Sequence, residues 1–158
     1  MTPNRASVRR SETGLSLLEV VIALALLAMV LLGISSVFVK AGKSVKSGRE
    51  LTEATSIATD ILEEFDRMSY SQTYTLFGGT TSGTSLSVDT RTNTFALKWQ
   101  PLITQRLNKG YGTITVTPLG GATSPPNFGS GKSVRVVVTM SWTEGLRARS
   151  AAYETTRF

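Results

Sequence analysis

The chain has 158 residues, with 17 Lys and Arg against 11 Asp and Glu, a formal net charge of +6 and a pI near 10.0. It contains neither Cys nor His, which excludes disulfides, thiolate nucleophiles and zinc–thiolate sites and removes the commonest general base and metal ligand. This length gives one domain once a membrane segment is set aside, and a basic balance by itself is weak evidence for nucleic acid or anionic lipid.

Residues 1–14 are polar and carry Arg5, Arg9 and Arg10 against Glu12. They read as the charged leader of an export signal. An apolar helix is expected from Leu15, with Glu19 almost at its start and an uncharged run, Val20–Val39, behind it. About twenty residues at about 1.5 Å each cover about 30 Å, the thickness of a bilayer's hydrocarbon core. A carboxylate at the mouth of such a segment costs roughly 2.5–3.5 kcal/mol on insertion scales, less near the interface, and calls for a partner. An ordinary secretory signal is cut behind its apolar core, and Gly33-Ile34-Ser35 is a loose candidate for such a site. Against that reading, Glu19 interrupts the core and the helical pattern continues past Ser36. Cations flank the run on both sides, with Lys40, Lys43, Lys46 and Arg49 following it, so charge leaves the orientation open.

The stretch Gly14-Leu15-Ser16-Leu17-Leu18-Glu19-Val20-Val21-Ile22-Ala23-Leu24 is similar to the N-terminal signature of type IV pilins and type II secretion pseudopilins. The resemblance covers about Gly14–Val39. It implies cleavage by a prepilin peptidase between Gly14 and Leu15, N-methylation of Leu15, and a role for Glu19, fifth after the cut, in subunit assembly. Leu15 stands where the family most often has Phe, and no Pro occurs around Gly33–Ser36, where many major pilins carry one. The Leu-Leu-Glu-Val-Val-Ile-Ala-Leu version and the Leu-Leu-Gly that follows resemble PilV-type minor pilins and the I-type pseudopilins. Cleavage at Gly14 would create an ammonium at Leu15, about one turn from Glu19, and a carboxylate near a helix N-terminus is favoured by the macrodipole. In a filament, the family arrangement pairs Glu19 with the N-terminal ammonium of a neighbouring subunit. The alternative is a glutamate that merely caps the helix near the headgroups.

With no Pro between Asn4 and Gln100, one helix is expected from about Leu15 to about Met68, roughly 80 Å long. Residues 15–39 form its apolar transmembrane or filament-core half, and residues 40–68 its amphipathic half. In the latter, Leu51, Ala54, Ala58, Ile61, Leu62 and Phe65 share one face at helical spacing, and Glu53, Asp60, Glu63, Glu64 and Arg67 fall opposite. Gly33, Gly42 and Gly48 weaken the middle by about 1 kcal/mol each relative to Ala, for local melting or for close helix contacts. Lys40, Lys43, Lys46 and Arg49 mark a membrane–water boundary, with their stems snorkelling. Asp60, Glu63, Glu64 and Asp66 lack the turn geometry of a calcium loop and read as a solvated face. Basic and acidic stretches in succession allow charge complementarity between staggered subunits.

Residues 69–158 form the C-terminal domain. Ser69–Thr94 reads as a long connection with a short strand near Leu86–Val88. Alternation predicts strands at Phe95–Gln100, at Thr113–Thr117, and most strongly at Ser133–Trp142, whose Val134, Val136, Val138, Met140 and Trp142 share one face. The turn Thr143-Glu144-Gly145 leads to a last strand near Arg147–Tyr153, an edge strand by its poor alternation, and Pro118–Lys132 reads as a surface loop. Three or four antiparallel strands with one apolar face need a cover, and the stripe Leu51–Phe65 supplies it. The expected class is α+β, a long helix packed on an antiparallel sheet, consistent with the pilin fold. Trp99, Trp142, Phe95 and Phe65 read as core, whereas Tyr70, Tyr74, Phe77 and Phe128 fall in loops and are candidate contact residues.

No phosphate loop, metal spacing or nucleophile–base pair is present, so no catalytic residue and no cofactor is expected. The leading expectation is a minor type IV pilin held in the bacterial inner membrane, with its C-terminal domain outside the cytoplasm, that enters or primes a filament. Its implied partners are other pilin or pseudopilin subunits, prepilin peptidase, the inner-membrane assembly platform and the bilayer. The alternatives are a type II secretion pseudopilin, a competence pilus subunit helping DNA uptake, and a signal-anchored periplasmic binding module.

Overall fold

The computed structural model describes residues 16–157. One helix, α1, runs Leu17–Arg67. It is followed by a short helix α2 (Gln72–Thr75), strand β1 (Leu86–Asp89), a 3-10 turn (Ala96–Trp99), helix α3 (Gln100–Arg106) and strands β2 (Tyr111–Leu119), β3 (Ser133–Glu144) and β4 (Arg147–Arg157). The strands form one antiparallel meander in the order β1-β2-β3-β4. The chain divides into two compact units after Ser44.

In the unit that begins at Val45, α1 packs on the sheet as the apolar stripe requires. Ala54, Ile57, Ala58, Ile61 and Phe65 are fully buried with Ile114, Val134, Val136, Val138 and Met140 of the sheet. The buried face differs in phase from the expected one. It centres on Ala54 and Ile61 and takes in Ile57 at one edge, while Leu51 is 48% exposed, a turn of the face by roughly 40° at 3.6 residues per turn. This brings Glu53 and Glu64 from the far side to the flank, where Arg106 meets Glu53 at 3.1 Å and Lys98 pairs with Glu64. Arg157, at the end of β4, donates to the carbonyl of Phe65, one of the last-turn acceptors that a helix leaves unpaired.

Two expectations are corrected. Phe95–Gln100 is not a strand but the approach to α3. Asn93 accepts the N–H groups of Phe95 and Ala96 through its side-chain oxygen at 3.1 and 3.0 Å, and Pro101 occupies the first turn of α3, where no N–H is missed. Ala96, Trp99, Ile103 and Leu107 are buried at helical spacing, and Leu97, which strict alternation would set on one face with Phe95 and Trp99, is 49% exposed. The loop aromatics Tyr74, Phe77 and Phe128 are not contact residues but core. Phe65 stacks on Phe77 at 5.1 Å and Tyr74 on Phe128 at 4.6 Å, because the connection after α1 folds back over the sheet and carries its own apolar side chains.

The remaining strands follow the pattern. β1 takes up the short strand expected near Leu86–Val88. β2 is longer than expected and includes Pro118, which pairs with Val134 beyond Val116, the last β2 residue that β1 reaches. A proline is tolerated where no second neighbour needs its N–H. β3 and β4 close through Gly145-Leu146, with Glu144 opposite Arg147 and Gly145 at φ 62, the positive φ that a two-residue hairpin asks of its first position. β4 is an outer strand, as its poor alternation implied. Gly110, before β2, lies so close to Leu107 and Ile103 that a Cβ there would sit 2.7 and 2.8 Å from them.

Candidate functional site

The predicted site lies at the start of α1. Ser16 precedes the helix, and its backbone carbonyl and side-chain oxygen accept the N–H of Glu19 at 2.9 and 3.2 Å. Ser16 is therefore the N-cap and Glu19 the third helical residue, the S-x-x-E spacing of a capping box. The sequence reading missed the role of Ser16, although that spacing was visible. Glu19 is the acidic residue of the first turn, where the macrodipole favours a negative charge. It is exposed and pairs with no cation among the described residues. Gly14 and Leu15, the expected processing pair, lie outside the described residues.

Behind Glu19, α1 presents an apolar surface all round. Leu18, Val21, Leu24, Leu27, Leu31 and Phe38 are all exposed, and the helix holds a stretch long and apolar enough to cross a membrane, none of it buried within the described chain. Its polar groups are satisfied inside the helix: Ser35 donates to the Leu31 carbonyl and Ser36 to that of Gly33, each at 2.8 Å. Such internal bonding is what a helix in lipid requires, since no water is there to take an unpaired hydroxyl. Gly33 and Gly42 keep the helical conformation, and a Cβ at either would meet nothing within 4 Å. No contact among the described residues asks for glycine at these positions.

The second unit carries charge arrangements of a structural kind. Glu50 is only 8% exposed. It accepts from the Trp142 indole N–H at 3.1 Å and faces the Lys46 ammonium at 3.9 Å, the partners a buried carboxylate needs. Thr90 is fully buried. Its hydroxyl accepts the N–H of Gly112 at 2.9 Å and donates to Gln100 at 2.5 Å, and Gln100 in turn donates to the carbonyl of Gly110 at 2.9 Å, pinning the start of α3 to the start of β2. Asp89 and Arg91 form a multiply bonded pair, closest at 2.5 Å, with the guanidinium 3.9 Å from the Tyr111 ring centroid. The Arg91 side-chain hydrogen bonds hold the Asp89 carboxyl below its ordinary value, against partial burial, and the Arg91 backbone N–H and charge add to them. Burial raises the Tyr70 phenol, with a smaller contribution from Tyr74. Among the described residues, no group of three or more His, Cys, Asp or Glu could hold a metal ion.

Residues 9–35 match the family model described as the prokaryotic N-terminal methylation motif. The match contains Gly14, Leu15 and Glu19 and extends into the apolar run. No curated protein and no solved structure matches the chain.

Proposed function

We propose that the chain is a minor type IV pilin: a non-enzymatic structural subunit, cut between Gly14 and Leu15, N-methylated at Leu15, held in the inner membrane by the apolar half of α1 and drawn from there into a filament. The observation that carries this reading is the methylation motif over residues 9–35, set at the mouth of a helix whose apolar surface finds no partner within the described chain. The α+β arrangement, a long helix packed on a four-stranded antiparallel sheet, is pilin-like and supports the same reading.

In this mechanism the first half of α1 exchanges lipid for the apolar helices of neighbouring subunits, so its hydrophobic surface stays out of water throughout. Glu19, already favoured by the helix N-terminus, gains the ammonium of a neighbour's Leu15. In a low-dielectric filament core that pairing counts for more than at a water surface, so it selects the register in which the charges meet. The same parts would serve a type II secretion pseudopilin, the second reading. The test is the sheared extracellular filament fraction of a strain carrying the tagged full chain. A minor pilin appears there at a low, constant ratio to the principal subunit. Absence from filaments, together with loss of protein secretion on deletion, would select the pseudopilin instead.

A further inference from the structure

The second unit is electrically polarised, and its basic end lies where the chain enters it. Ser47 donates to Glu144 at 3.4 Å, Glu144 also receives Arg149 at 2.9 Å, and Asn108 exchanges hydrogen bonds with Thr143 at 2.9 and 3.2 Å. These contacts gather the β3–β4 turn, the residues after α3 and the first turn of α1 within this unit. Around them stand six cations, Lys46, Arg49, Arg106, Lys109, Arg147 and Arg149, against three carboxylates, Glu50, Glu53 and Glu144. Each carboxylate is already engaged by a cation of the group. Over the rest of residues 45–158 there are six cations and six carboxylates, so the unit's whole net charge sits at this end. At its tip the turn carries Leu146, fully exposed although nothing in a two-residue hairpin asks for an apolar residue there.

Val45 follows Val39, the last residue of the uncharged run, by six positions, and even fully extended the chain holds the two within about 21 Å. We propose that this end of the second unit docks on the bilayer surface through anionic lipid headgroups, with Leu146 entering the headgroup layer and the surrounding cations meeting phosphate. The proposal rests on the reading that the apolar half of α1 is in the membrane. Cations close to an anionic leaflet are attracted over about a Debye length, and an apolar side chain ringed by Lys and Arg suits the interface.

The chain has no Cys, so Leu146→Cys gives a single site for an environment-sensitive dye, with Ala122→Cys, in the β2–β3 connection at the other end of the strands, as its counterpart. The full chain is reconstituted in vesicles of phosphatidylcholine, with and without 30% (about one lipid in three, in the range that gives a strong surface potential) phosphatidylglycerol. Flotation with phosphatidylcholine alone reports the anchor separately. The expected result is several-fold weaker acrylamide quenching at position 146 in the anionic vesicles, no change at 122, and loss of the protection in Arg147→Glu or at high salt. Equal quenching at 146 in both vesicle types would overturn the proposal. Protection that follows the protein-to-lipid ratio in phosphatidylcholine alone would overturn it in favour of a second copy. Failure to float would remove the anchor reading and this proposal with it.

Discussion

The two halves of α1 share one backbone conformation and differ in what satisfies their side chains. From Val45 to Arg67 the helix buries Ala54, Ile57, Ala58, Ile61 and Phe65 against its own sheet, and its charged residues on the flanks find partners in Arg106 and Lys98. From Leu17 to Ser44 it buries nothing. Its glycines touch nothing, and Glu19 has no cation among the described residues. Helical hydrogen bonding is common to both halves and cannot account for the difference. The second half is a fold element whose free energy is settled within the chain. The first half buries no side chain against the described residues, and the proposed function assigns it lipid or other subunits as partners.

Mutations should therefore separate the halves by the assay in which they act. The largest effect on assembly is expected from Glu19→Ala, which should lower incorporation into filaments at least tenfold, about the 1.4 kcal/mol or more that one lost charge-assisted contact represents. It should leave membrane insertion and the unfolding of the second unit unchanged. Normal incorporation would show that Glu19 is not the docking charge and that its N-terminal position merely suits the helix. Phe65→Ala should do the reverse, destabilising the second unit by about 3–5 kcal/mol in urea titrations of the detergent-solubilised chain without altering insertion. A loss below about 1 kcal/mol would mean that the stacking on Phe77 and the packing under the sheet matter little.

A smaller gain, about 1 kcal/mol, is expected from Gly48→Ala in the same titration, because a Cβ there meets nothing within 4 Å. Destabilisation would reveal a contact or a bend that the glycine serves. The smallest effect concerns Asp89. Its carboxyl is lowered in the folded chain by Arg91, so the stability it contributes is complete above the unfolded value of about 3.9. That contribution is lost as pH falls through the lowered folded value. Asp89→Asn should flatten that part of the acid slope, and an unchanged slope would assign it to other carboxylates.

The long helix, the helix-on-sheet class, the strongest strand and its turn were legible because periodicity and turn chemistry are local properties. The phase of the buried face was not. Leu51 and Ile57 are both apolar, and only the sheet decides which of them faces it. The segment Phe95–Gln100 misled because six residues can alternate by chance. The 3.6-period set of Ala96, Trp99, Ile103 and Leu107, with Asn93 before it and Pro101 inside it, was the longer and better signal. The loop aromatics were misplaced for a related reason, since the path of a long connection is a long-range outcome that local pattern does not carry. Burial of Glu50 was equally hidden, because its partner Trp142 is 92 residues away. At the N-terminus, the place of Glu19 in the first turn followed from where the apolar run begins, and Ser16 could have been found from the capping-box spacing alone.

The proposed assembly requires that the apolar half of α1 belong to the mature protein with a new N-terminus in front of it. Mass spectrometry of the N-terminal peptide of the protein isolated from its own membranes tests this directly. The expected species begins at Leu15 and carries one methyl group on its amine. A chain beginning at Met1, or one cut behind the apolar run at Ser36, would contradict the account, since neither places an ammonium one turn from Glu19 on a retained helix.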